Sequence, residues 1–575
     1  MGARAVAAGT AGQWTLMYEA GEHGIAAGGV LFLQVSPFWG WSTPQTTNEH
    51  ALGYTTVDTD ALGVTLEPRT VDTQLLAVEV TGRALAAGER VTFVYGAGSA
   101  GARGDRYAER RAPLWFAVDG DGDGIRSVVA DSPVVEISPA SAQQLVLTLP
   151  SSAAPGASVQ LTVAVLDGAG NRGPRFAEWI VLETDAPGVE LPSRARLDAT
   201  DVIQVPLKLS QGAAGGVVRI RATGAGLSAE SNPLVVSADG VLPILWGDLH
   251  GHSVFSDGTG SVEDYFRYAR DVAALDVIAL TDHDHWGMRP LSQNPDLWSE
   301  IRSQTLTSHE PGRFVTLLAY EWTSWLHGHR HVLYFSDAGD VLSSVDPAYE
   351  DPRQLWEALR GQPAMTLAHH SAGGPVATNW QIPPDPELEP LTEVASVHGS
   401  SEAMDSPRVI YQPIAGNFVR DALDLGYRFG FIGSGDSHDG HPGLAHLDAG
   451  TGGLAAFLTG DLTRAGIRSA MKHRRVYATN GPRIVLRTSL ADARMGESIS
   501  PAAAADLRVV ISACAPLERV DIIRSGNVVD TAPGEGRRDV SLAWALADLR
   551  SGEYVYVRAV QEDGGAAWSS PFFID

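Results

Sequence analysis

Between residues 241 and 480, apolar runs repeatedly end in residues that bind metals, and this constrains the fold more than any other feature of the chain. Val241-Leu242-Pro243-Ile244-Leu245-Trp246 runs into Gly247-Asp248-Leu249-His250-Gly251-His252, with Asp257 shortly after. Val272 to Leu280 leads into Thr281-Asp282-His283-Asp284, and Phe314 to Tyr320 into Glu321. Ala364 to Ala368 leads into His369, and Tyr427 to Gly433 into Asp436-Ser437-His438. A short apolar run bounded by turn signals reads as a buried strand. Side chains two apart on a strand point the same way, so His250 and His252 converge on one point. Helix-like segments separate the runs. A barrel of alternating strands and helices has a packed interior and carries its chemistry at the C-terminal strand ends, which is the pattern here.

The histidines support a metal centre. Of the 17, only His23 and His50 precede residue 241 and none follows His473. Neutral imidazole is the commonest protein metal ligand. Imidazole with carboxylate suits zinc, manganese or iron, whereas the single cysteine, Cys514, excludes a thiolate site. The donors exceed what one ion needs. Two or three divalent ions sharing a carboxylate would use them, and Glu321 is the natural bridge.

The flanks read differently. Residues 1–240 alternate in short apolar segments such as Val159 to Leu166 and Val217 to Ala222, broken by turns such as Asp167-Gly168-Ala169-Gly170-Asn171. Alternation with frequent turns predicts β-sandwich modules, divided here as 1–140 and 141–240. The barrel then spans 241–480. Residues 481–575 return to alternation, as in Tyr554 to Val560, and predict a C-terminal sandwich. Length alone suggests about four domains.

Net charge is −26, and a duplex-binding protein needs Lys and Arg to displace counterions, so nucleic acid is not the expected partner. No run of 18 apolar residues suggests a membrane span. Met1-Gly2-Ala3-Arg4-Ala5-Val6 lacks the apolar core of a signal peptide. A cytoplasmic location is expected, with an export signal absent or removed.

The ordered motifs HxH, TDHD, Glu, His and DxH resemble the polymerase-and-histidinol-phosphatase (PHP) superfamily. Glu321-Trp322-Thr323-Ser324, Gly328-His329-Arg330, Ala368-His369-His370-Ser371, His398-Gly399-Ser400-Ser401-Glu402, Ser434-Gly435-Asp436-Ser437-His438 and the ending Ala567-Trp568-Ser569-Ser570-Pro571 resemble the DUF3604 group, related to the carbaryl hydrolases. The resemblance covers about 240 residues and implies a distorted (β/α)7 barrel flanked by N- and C-terminal β-sandwiches. It implies His250, His252 and Asp257 as metal ligands, with His283, His369, Asp436 and His438, and Glu321 bridging. A further family ligand follows the Glu, and His327, His329 and His331 offer three choices, of which His329 is favoured. His370 stands where many relatives carry proline.

The expected chemistry is ester hydrolysis by a metal-activated water. Small phosphoesters are the expected substrates, with aryl carbamates or carboxylic esters as the alternative and a non-catalytic binding protein as the second. A proofreading nuclease is disfavoured by the charge. By motif proximity, Arg330 would hold an anionic oxygen and His398 or Asp284 would protonate the leaving group. Trp286, Trp322, Trp325 and Trp380 lie near the ligand motifs and either wall an apolar pocket for an aryl group or pack the core. Asp119-Gly120-Asp121-Gly122-Asp123-Gly124 reads either as the start of a calcium loop or as an acidic turn, since Ala130 stands where the loop needs a carboxylate. Oligomeric state is not encoded in these motifs.

Overall fold

The computed structural model describes residues 5–36, 40–197, 201–237 and 241–575, and strands dominate it. By compactness the chain divides into two units. The first comprises Met1–Ser141, Asp167–Pro174 and Thr259–Ser261. Its strands alternate buried and exposed positions, as in Trp14–Glu19 and Arg90–Tyr95, and they enclose a core that includes Trp14, Leu33 and Phe93. Trp14 stacks on Tyr95 with ring centroids 5.5 Å apart.

The second unit comprises Ala142–Leu166, Arg175–Gly258 and Val262–Asp575. Its main sheet begins with β1 (Ile244–Asp248), β2 (Val277–Ala279), β3 (Val315–Trp322) and β4 (Arg330–Tyr334). It continues with β5 (Ala364–Ala368), β6 (Leu391–Ser396), β7 (Gly430–Gly433), β8 (Leu454–Leu458) and β9 (Val476–Thr479). The order across the sheet is β7-β6-β5-β4-β3-β2-β1-β8-β9. β2 to β7 are buried at every position, as expected of strands covered on both faces.

Six of the first seven strands run one way, while β4 runs antiparallel to both β3 and β5. The cause is chain length. Only residues 323–329 join β3 to β4, and a parallel crossover needs a dozen or more. Helices α1 (Val262–Arg267), α2 (Pro295–Thr307), α3 (Pro352–Leu359), α4 (Val419–Asp424) and α5 (Arg464–Lys472) lie in other connections. Asp351 and Gln354 close a capping box on α3, whose first residue is Pro352. Among the described residues no ladder joins β7 back to β1, and β1 pairs with β8 instead.

The C-terminal strands extend this sheet. β9 pairs antiparallel with Ala566–Ser569, which pairs in turn with Tyr554–Gln561. The strands of 144–236 belong to the same compact unit. There Trp246 Nε1 donates to Ser151 Oγ at 2.8 Å and Arg219 pairs with Asp539 at 2.9 Å. Among the described residues no helix is long and apolar enough to cross a membrane.

Candidate metal centre

The parallel strands aim their C-terminal ends at one place. β1 delivers His250 and His252, and the segment after β2 delivers His283, whose backbone bridges to Glu321 near the end of β3. His369 follows β5, and Asp436 and His438 follow β7. β4 arrives from the opposite direction, so its start reaches the same end. The register sets His331 opposite Glu321 and Arg330 opposite Trp322. Period-two alternation therefore turns Arg330 away from the side that His331 occupies.

Gly435 is required by a close approach at this end. A Cβ there would lie 2.5 Å from Oδ2 of Asp248. That buried carboxyl accepts from the amides of Gly435 (2.7 Å) and Gly443 (2.8 Å), tying the end of β1 to the loop that carries Asp436. Burial pushes Asp248 up to about 7.

Glu321 is the hub. Its Oε2 lies 3.3 Å from His250 Nε2 and 3.4 Å from His252 Nε2. Its Oε1 lies 2.7 Å from His329 Nδ1, 3.2 Å from His283 Nδ1 and 3.4 Å from His369 Nε2. The two oxygens thus face separate sets of imidazoles. Asp436 Oδ1 is 3.1 Å from His250 Nε2 and 3.5 Å from His252 Nε2. Asp257 Oδ1 is 3.5 Å from His283 Nε2 and 3.4 Å from His438 Nε2.

Four groups have donor atoms within 4.8 Å of one another: His250, Glu321, His331 and His369; His252, Asp257, His283 and His438; His329, His369 and His370; and His250, His252 and Asp436. Nε2 of His250 and of His252, both ring nitrogens of His329, His331 and His369, and Oδ1 of Asp257 are buried and make no hydrogen bond. His329 Nδ1 sits 2.7 Å from a carboxylate oxygen without hydrogen-bond alignment. Buried polar atoms are normally paired, and donors aimed past one another at shared points fit divalent cations.

The protonation pattern agrees. Burial holds His250 down to about 3, which leaves its lone pair free. Burial also lowers His252, but Asp436 and Glu321 outweigh it and bring it to about 9. His283 is likewise raised well above the imidazole range by Glu321 and Asp257, against burial. Burial works to raise Glu321, yet the imidazoles of His283, His369 and His329 hold it well below the carboxylate range. The carboxylates draw protons onto their neighbours, and a divalent cation answers the same charge.

All nine ligand residues named from the sequence meet here: His250, His252, Asp257, His283, Glu321, His329, His369, Asp436 and His438. His331 and His370 join them. The β3–β4 turn sends both His329 and His331 inward, so both reach the cluster. His327 is different: it belongs to none of these groups, and burial lowers it against the opposing charge of Asp351. Glu393, in the middle of β6, accepts from or pairs with His250 Nδ1 at 3.0 Å and fixes that ring. A glutamate inside a short strand with no other charged residue, Leu391-Thr392-Glu393-Val394-Ala395-Ser396, was its sequence signal.

Two expected catalytic residues are placed otherwise. Arg330 is fully buried, donates to Glu389 at 2.9 Å and to the carbonyls of His327 and Gly328, and lies over the Trp356 ring. Asp284 accepts from His285, Thr323 N, Ser343 Oγ and Ser344 N, which makes it a loop anchor. Only His398 stays at the mouth, with Nε2 3.0 Å from Asp436 Oδ2 and about a third of its side chain exposed (34%). Of the tryptophans, Trp322 and Trp380 are core residues bonded to backbone carbonyls. Trp286 stacks on His283 at 4.9 Å, and exposed Trp325 lies 5.6 Å from Trp286.

In the first unit, Asp119, Asp121 and Asp123 bring their carboxylates within 4.8 Å of one another. Asp119 accepts from the amides of Gly122 (2.8 Å) and Gly124 (2.9 Å), and Asp123 from that of Ile125 (2.7 Å). Such bonds build this turn with or without an ion.

Residues 277–374 and 443–498 match the family model "Protein of unknown function (DUF3604)". The first stretch contains His283, Glu321, His329, His331 and His369. The chain is 26% identical over 541 residues to an uncharacterised protein of Chlamydia pneumoniae, covering 85% of this chain and 84% of that one. It is 25% identical over 375 residues to an uncharacterised protein of Chlamydia trachomatis, covering 60% and 59%. A solved two-domain protein from Bacteroides vulgatus, containing a predicted PHP-like metal-dependent phosphoesterase, is similar over 57% of this chain and 95% of that chain, at 16% identity and a TM-score of 0.32.

Proposed function

We propose that this chain is a metal-dependent hydrolase of small esters, of the PHP type, with phosphoesters as its first substrate class. The observation that carries this is the split of Glu321, whose two oxygens face separate imidazole sets in a buried cluster of unpartnered donor atoms. His250, Glu321, His331 and His369 would hold one divalent ion and His252, Asp257, His283 and His438 a second, with Asp436 beside His250 and His252, and His329 and His370 beside His369, as the donors left for a third. Zinc, manganese or iron suits these donors. Such ions, when bound, supply Lewis acidity and a water that ionises near neutral pH.

The chain's own residues do the rest. Glu393 and Thr323 fix the rings of His250 and His283 through their Nδ1 atoms, at 3.0 Å and 2.6 Å. His398 is placed to give a proton to the leaving group, since it touches Asp436 and its side chain is partly exposed. The alternative, cleavage of aryl carbamates or carboxylic esters at the same centre, is favoured by the Trp286–Trp325 pair beside His283.

Elemental analysis of protein purified without chelator is expected to find at least two divalent ions per chain. Rates on p-nitrophenyl phosphate, a phosphotriester and an aryl N-methylcarbamate then rank the substrate classes, and chelation abolishes all of them. A metal-loaded protein inert on all three would sink the hydrolase proposal, and one that holds no metal would leave a binding protein. Replacing His398 by Gln is expected to lower kcat about 10²-fold with metal content unchanged. Equal loss of metal would assign His398 to the ligand set instead.

A further inference from the structure

A cavity of about 180 Å³ lies at the other end of the main sheet. Residues 241–242 enter it just before β1, and Leu458, paired with Ile244, closes one side as β8 ends. The metal-competent cluster sits at the opposite end of β1, so the two sites are separate. Apolar wall comes from Leu458 and Met495, and the polar lining is almost wholly cationic: Arg475, Arg487 and Arg494, with Thr488.

These arginines form no ion pair among the described residues, although the Glu497 carboxylate accepts from the backbone amide of Arg494 at 2.8 Å. Among the described residues, no carboxylate comes within 4.0 Å of any of the three guanidinium groups in a chain whose net charge is −26. Arg487 Nε and Nη2, Arg475 Nε and Thr488 Oγ1 are buried and unpartnered, while Arg475 Nη2 donates to Ser469 at 3.2 Å. Burial lowers the Arg487 guanidinium from its usual range. A desolvated, unpaired guanidinium is costly, and planar forked donors match carboxylate and phosphate oxygens.

We infer that this cavity binds a small amphiphilic anion, an oxyanion group carrying a short apolar chain. The oxyanion meets Arg475, Arg487, Arg494 and Thr488, and the chain lies against Leu458 and Met495. The volume admits a group of four or five heavy atoms beside the anion, since a cavity of about 150 Å³ is filled by one benzene.

The test is calorimetric titration of the full-length protein with butylphosphonate, inorganic phosphate and butanol. Butylphosphonate is expected to bind saturably, and at least tenfold more tightly than either fragment, because each fragment engages only one of the two kinds of lining. Binding is expected to persist in a Glu321→Gln variant, which separates this site from the metal cluster and from the proposed hydrolase activity. Arg487→Met is expected to weaken binding at least tenfold, as loss of a charged hydrogen bond does. Without ligand this variant is expected to melt no lower than its parent, because an unpaired buried charge has been removed. Arg494→Gln, at an exposed position, is expected to weaken binding about threefold. Absence of saturable binding, binding unchanged in both arginine variants, or binding lost in Glu321→Gln would each overturn the inference.

Discussion

Replacing Glu321 by Gln is expected to remove at least one divalent ion per chain and to lower ester hydrolysis about 10³-fold or more. The amide keeps the volume, so the cost is that of charge and of a donor oxygen. Oε1 and Oε2 together approach five imidazoles within 3.4 Å, and no other carboxylate in the cluster reaches so many. Lewis-acid stabilisation of the developing charge is worth several kcal/mol, and about 4 kcal/mol corresponds to roughly 10³ in rate. The variant is expected to fold, since Gln can still accept from Thr323 Oγ1, which lies 3.4 Å from Oε1. Elemental analysis beside steady-state rates gives the answer. A variant with the parent's metal content and rate would refute the bridging role.

Most of the candidate ligands were legible because they follow apolar runs that read as buried strands, and polar residues just beyond such runs share one end of a sheet. Where the chain breaks that rule, legibility fails. The short 323–329 connection forces β4 to run backwards, so its ligands lie at its start and its own alternation sorts them: His329 and His331 on one side, Arg330 on the other. Motif proximity could not make that separation, although the pattern His-Arg-His contains it. Asp284 misled for a related reason. It sits beside a ligand, but its oxygens are consumed by Ser343 and Ser344, about sixty residues away, and no local pattern announces that contact. The C-terminal alternation was readable as strands, but not that Ala566–Ser569 would extend the main sheet, because pairing partners are chosen by long-range packing.

The same limit hides Glu402, whose neighbours in sequence suggest a place near the chemistry and whose contacts give it a structural one. Glu402 is fully buried, accepts from Arg558 at 3.0 Å and Arg420 at 2.7 Å, and receives the Tyr556 hydroxyl. Arg558, on the strand Tyr554–Gln561, also holds Asp521 at 3.0 Å and Asp405 at 3.1 Å. The network fastens the segment after β6, which carries His398, to the C-terminal strands. Arg558→Leu is therefore expected to destabilise the second unit by about 3–5 kcal/mol, the usual cost of stranding buried charge when one partner is removed. Glu402 keeps Arg420, whereas Asp521 keeps Arg519 at 3.2 Å and the Thr531 hydroxyl at 2.9 Å but loses its closest guanidinium. Urea unfolding of the full chain, followed by intrinsic fluorescence, measures the loss. Adding Asp521→Asn to Arg558→Leu is expected to recover part of it, because the double variant no longer buries a carboxylate that has lost its closest guanidinium, and that non-additivity identifies the pair as the source. A single variant within 1 kcal/mol of the parent would show that solvent reaches these carboxylates and that the loop carrying His398 is held by its backbone bonds alone.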